Sequence, residues 1–223
     1  MNSVFPVCLL IASALQGQGA DKKEQAEKDP ALRQELLDMF KEDQQIRVEV
    51  LKALGEKGIA PGETKRITDP ALMKFALEQN ARMTAVDQKN LARLKQIVDK
   101  HGWPGKSLVG VDGAHAAWLL VQHADAKLGL QKRYLELMKA APKGDVEPID
   151  IACLTDRVLV AEKKKQVYGT QLVRQGDKYV PKSIQDAESV DKRRAEVGLP
   201  PLADYLKTAQ AEYDRLLGKK NEK

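Results

Sequence analysis

Apolar residues recur every three or four positions along most of this chain, the spacing that lays one stripe along a helix, and polar residues fill the positions between. From Asp29-Pro30 to about Gly55 the stripe is Leu32, Leu36, Phe40, Val50 and Leu54. The Asp-Pro start supplies an N-cap oxygen and a ring suited to the first helical position. A second such start, Asp69-Pro70, opens a longer stretch to about Lys100, with Leu72, Ala76, Met83, Val86, Leu94 and Ile97 on one side. The Gly- and Pro-rich segment from Gly55 to Gly62 reverses the chain, so the two helices are expected to form an antiparallel hairpin. His101-Gly102-Trp103-Pro104-Gly105 breaks the second helix. A third is predicted over about 113–126 with Asp112 as its N-cap, a fourth over 130–141, and a central one from near Pro148.

After Lys165 the period shortens. Thr170–Arg174 and Lys178–Val180 flank Gln175-Gly176-Asp177, which reads as a small β-hairpin. A polar helix over 186–197 and a last one over 202–217 complete the chain. The expected fold is mainly α: a single-domain helical bundle built on a long helix hairpin, with a small β-hairpin after the central helix. The expected organisation is a signal peptide over 1–20, a flexible lead-in over 21–28, the helical domain over 29–217 and a charged tail over 218–223.

Several polar residues stand where the stripes call for apolar ones. Asp43 and Arg47 interrupt the first stripe, four residues apart and able to pair. Asp87 and Asn90 interrupt the second, and His115 and His123 have Trp118, Leu119 and Leu120 as helical neighbours. Asp156 and Arg157 sit side by side on the central helix among Ala152, Cys153, Leu154, Leu159 and Val160. A buried charge must be paired, hydrogen-bonded or neutralised. If these stripes face one interior, that interior holds either a preformed polar site or a network that fixes helix register.

Composition narrows the classes. Hydrophobic residues at 43%, charged at 31% and aromatic at only 4% describe helices packed with Leu, Ala, Val and Met. The net charge of +5 comes from 37 basic and 32 acidic residues that are interleaved, so no basic face for nucleic acid is expected. Val4–Leu15 is an apolar run followed by small residues and then Asp21-Lys22-Lys23-Glu24, the layout of a cleaved export signal. The run is too short to span a bilayer, so the mature chain is expected to be periplasmic or secreted, with no transmembrane anchor, and cytoplasmic if the segment is not cleaved. Cys8 lies in that run, which leaves Cys153 alone and excludes an intramolecular disulfide in the mature chain.

The motifs for chemistry are mostly absent. There is no nucleophile elbow and no phosphate-cradling Gly loop. His115 and His123 are eight residues apart, about 12 Å along a helix, and cannot share an ion from one helix. No metal or cofactor is expected; the arrangement that stays open is one His with Asp87 or Asp156 from another helix.

Four ordered motifs, His101-Gly102-Trp103-Pro104, Gln122-His123-Ala124-Asp125, Thr155-Asp156-Arg157 and Gln166-Val167-Tyr168-Gly169-Thr170-Gln171, resemble those of an uncharacterised group of bacterial proteins classed as a domain of unknown function. The resemblance runs from about Leu32 to Leu206. Lys163–Lys165 depart from it, where the group has a Gly before the Gln. The resemblance implies a fold and a set of positions, and no activity.

The function expected on these grounds is a module that binds an unidentified small polar or anionic ligand, or a peptide. Its contacts would be Arg47, Asp87, Asn90, His115, His123, Asp156, Arg157, Gln166, Tyr168 and Gln171. The alternatives are a hydrolase-like enzyme using His123 and Asp156 as an acid–base pair, and a purely structural or protein-interaction domain.

Overall fold

The computed structural model describes residues 28–59, 67–176 and 178–216. The segments assigned above to a signal peptide and a charged tail lie outside those residues, as do most of the lead-in and Asp177. The chain divides into two compact units, one running up to Val146 and the other from Glu147.

The N-terminal unit contains α1 (Pro30–Glu56), α2 (Pro70–His101), α3 (Lys106–Gln122) and α4 (Leu128–Ala140). Both Asp-Pro starts form as expected: Asp29 accepts from the Leu32 amide at 2.9 Å, and Asp69 from Ala71 and Leu72 at 2.7 and 2.9 Å. Ion pairs cross from α1 to α2 in inverse order, Glu35 with Arg93, Glu42 with Lys89 and Glu49 with Arg82, which is an antiparallel hairpin. These pairs are exposed and each contributes little. The hairpin is held by its apolar stripes: Leu36, Val50 and Leu94 are fully buried.

α3 is buried on every side, from Ala114 through Ala116-Ala117-Trp118-Leu119-Leu120 to Val121, with half-buried His115 as the exception. A helix apolar all round belongs inside its unit. It begins with a short turn and kinks at Gly110, whose φ of 72° and ψ of 174° interrupt the helix just before Asp112. Asp112 receives Nε and Nη2 of Arg33 at 2.8 and 2.7 Å and so ties α3 to the start of α1. The helix stops at Gln122, four residues before the expected end, because His123 caps it and the chain turns at Ala124.

The C-terminal unit holds α5 (Pro148–Ala161), β1 (Leu172–Gln175), β2 (Lys178–Pro181), a 3-10 turn at Ala187–Ser189, α6 (Val190–Glu196) and α7 (Leu202–Leu216). The β-hairpin pairs Leu172 with Pro181 and Gln175 with Lys178. β1 starts two residues later than expected because the Thr170 amide is committed to Asp156. The result is the expected mainly α fold with one small antiparallel hairpin. Among the described residues no helix is long and apolar enough to cross a membrane.

Candidate functional site

Within the N-terminal unit the first two polar interruptions and the end of α3 meet. Asp43 and Arg47 occupy successive inward turns of α1, Asp87 follows Met83 by one turn on α2, and His123 caps α3. Asp43 is fully buried and His123 nearly so, whereas the side chains of Arg47 and Asp87 keep 14% and 22% of their exposure. One edge of the cluster is therefore open to water.

The Arg47 guanidinium lies at the centre. Its Nη2 donates to Asp43 Oδ1 at 3.1 Å and to Asp87 Oδ1 at 2.5 Å, its Nε lies 3.2 Å from Asp43 Oδ2, and its Nη1 faces Met83 Sδ at 3.8 Å. His123 Nδ1 is 2.9 Å from the Asp43 carboxylate and also 2.9 Å from Arg47 Nε. These last two contacts compete. An Arg Nε–H can only donate, and Nδ1 offers either one lone pair or one proton, so it can serve the guanidinium or the carboxylate but not both.

The carboxylates respond in opposite directions. Burial pushes Asp43 up, but the charge and hydrogen bonds of His123 and Arg47 outweigh it and hold the group at about 2. Burial pushes Asp87 up to about 6; Arg47 pulls it back only in part, and Asp43 and Asp125 add repulsion. Two carboxylates thus contact one guanidinium, and a third, Asp125, acts on Asp87 through its charge. The cluster also sits at the C-terminal end of α3, where the helix dipole is negative. Of the two carboxylates on Arg47, Asp87 is the one that favours added positive charge.

The remaining expected site residues take other places. Asn90 is buried one turn beyond Asp87, where its amide nitrogen donates to the Met39 carbonyl at 3.4 Å, and its Oδ1 has no hydrogen-bond partner among the described residues. His115 is half-buried between rings, 4.9 Å from Trp118 and 6.5 Å from Phe40.

The others belong to the C-terminal unit. Asp156 accepts the amides of Val167, Tyr168 and Thr170 and the Thr170 hydroxyl at 2.7 to 3.2 Å, so both of its oxygens organise the loop that follows α5. Burial raises the Asp156 pKa and these donors pull it back only in part. Gln166 donates to the carbonyls of Gln171 and Lys182 and accepts the Gln171 amide, and Gln171 donates to Thr170 Oγ1 at 3.1 Å. Tyr168 contributes its backbone to Asp156 and to Arg194, while Arg157 is buried on α5.

Sequence reasoning passed over two residues that brace this loop. Fully buried Arg194 donates to the carbonyls of Tyr168 and Pro200, each at 2.6 Å, and lies 4.8 Å over the Tyr205 ring. The Tyr205 hydroxyl donates to the Thr170 carbonyl at 2.8 Å. A signal existed for Arg194, since it follows Val190 by four residues and precedes Val197 by three, on the inward stripe of a segment read only as polar.

Among known proteins, the model of a family of unknown function matches residues 30–217. No curated protein and no solved structure matches the chain.

Proposed function

The chain belongs to DUF6624, and since membership of a family of unknown function brings no activity with it, we propose from the geometry alone that the N-terminal unit is a binding module for a small polar ligand bearing positive charge. The observation that carries this reading is the gathering of Asp43, Asp87 and His123 around a single guanidinium, open to water on the Asp87 side. Arg47 alone would have suited an anion. The cluster favours a cation at Asp87 instead, because burial, Asp43 and Asp125 all push that carboxyl above the ordinary aspartate range. Asp87 is the contact a ligand reaches first, Asp43 holds His123 in orientation, and Arg47 is the cation already in place.

The apolar run from Val4 to Leu15 and the polar switch after it support action outside a bacterial inner membrane. A second reading, acid–base catalysis at His123, draws on the fully buried Asp43 at 2.9 Å from Nδ1, a carboxylate placed to fix a tautomer. It lacks a nucleophile beside the pair among the described residues, so binding is the better supported reading.

Thermal-shift measurements with a panel of small amines, guanidines and metal chlorides, set against phosphate and carboxylate anions, test the proposal. Stabilisation by at least one cation that disappears in Asp87→Asn is the expected result. Stabilisation by anions alone, lost in Arg47→Ala, would overturn it.

A further inference from the structure

We propose that Asp43, Asp87 and His123 ligate a divalent transition-metal ion at the position of the Arg47 guanidinium, and that Arg47 is the group the ion displaces. This rests on the cation-binding reading of the same cluster and names the cation. One ligand atom from each of the three side chains lies within 4.8 Å of the other two. Ligands at the usual ~2.0–2.2 Å from one ion stand about 3.3–3.6 Å apart in a tetrahedral site, so the three side chains draw in by up to about 1.5 Å to complete the set.

The donor chemistry selects the class of ion. One imidazole with two carboxylates suits zinc, manganese, iron or cobalt, whereas magnesium and calcium prefer oxygen alone. Three protein ligands leave positions for water or substrate, and the partly exposed side of Asp87 provides the approach.

The competition at His123 Nδ1 is independent support. With Arg47 in place, either a ring N–H points at a guanidinium N–H or a ring lone pair points at a carboxylate oxygen 2.9 Å away. A metal ion removes the conflict, because it accepts the Nδ1 lone pair and both carboxylates together. Asp43 and Asp87 already converge on Nη2, which marks where positive charge sits between them. Arg47 is at the rim on a long side chain, so it can leave without breaking the fold, and its charge then lies beside the site, available to an anionic group bound to the metal.

The test is titration of cobalt(II) chloride into the chelator-treated full chain, followed by visible absorption, with zinc(II) chloride followed by calorimetry. Wild type is expected to bind one ion per chain with ligand-field bands in the visible. Arg47→Ala is expected to bind about tenfold more tightly because the competing cation is gone, and Asp87→Asn about tenfold or more weakly. Circular dichroism confirms that each variant is folded, and Asp87, at the rim, is chosen over fully buried Asp43 for that reason. No cobalt spectrum in either wild type or Arg47→Ala overturns the metal, and an Arg47→Ala variant that binds no more tightly overturns its placement. If cobalt fails while amines still stabilise wild type and not Asp87→Asn, the metal falls and the cation-binding reading stands; if neither binds, both fall.

Discussion

Replacing Asp87 by asparagine separates a site from an architectural network. Burial and the neighbouring carboxylates push Asp87 up to about 6, about two units above an ordinary aspartate, which corresponds to about 3 kcal/mol of preference for the neutral form. Its side chain keeps 22% exposure, and solvent screening reduces that to about 1–2 kcal/mol. Because the folded value lies above the ordinary one, the contribution to stability is complete below pH about 4 and is lost as pH rises through about 6. At pH 7 the wild type therefore holds a carboxylate that costs it stability, and asparagine, with no proton to lose, does not. Urea denaturation of the metal-free protein, followed by circular dichroism from pH 4 to 7.5, measures this. Asp87→Asn is expected to be more stable than wild type by about 1–2 kcal/mol at pH 7 and equal to it near pH 4. A variant less stable at pH 7 would refute the reasoning and make the Asp87–Arg47 pair a strut.

Other outcomes follow from the same structure. Asp43 is held at about 2, so its contribution is present above the ordinary aspartate range and lost as pH falls through about 2; acid unfolding of Asp43→Asn should show a shallower pH dependence there than wild type. Asp156→Asn places an amide N–H among the donors of Val167, Tyr168 and Thr170 and should cost about 1–3 kcal/mol for each donor left unsatisfied, measured by urea denaturation. Gly169→Ala should cost about 2 kcal/mol or more, because φ is +73° and a Cβ would come within 2.9 Å of Ile184 Cδ1. Tyr205→Phe removes the hydrogen bond to the Thr170 carbonyl and should lower stability by about 1 kcal/mol on the same assay.

The helices were legible because their signals are local. Asp-Pro starts, Gly and Pro breaks and the three-to-four spacing need no knowledge of the rest of the chain, and α1, α2 and α4 lie within about two residues of their expected bounds. The end of α3 was not legible. His123, Ala124 and Asp125 continue the helical pattern, and the turn there depends on a capping geometry set by tertiary contacts. The same holds for the sites. A polar residue on an apolar stripe marks burial, and that marked Asp43, Arg47, Asp87, His123 and Asp156 alike. Which of them share a cluster depends on the register of α1 against α2 and on where α3 ends, and neither is written in any one segment. Asp156 and Asp43 look alike in sequence. Their partners differ: four donors of one following loop for Asp156, and an arginine one turn away with a histidine from a distant helix for Asp43.

Native mass spectrometry of the full chain, purified from its own host without chelator and compared with Asp87→Asn from the same host, tests the central claim most directly. A cation retained by wild type and missing from the variant is the expected result. A wild type that carries no cation, or a cation carried equally by both, would contradict the assignment of the Asp43, Asp87 and His123 cluster as the binding site.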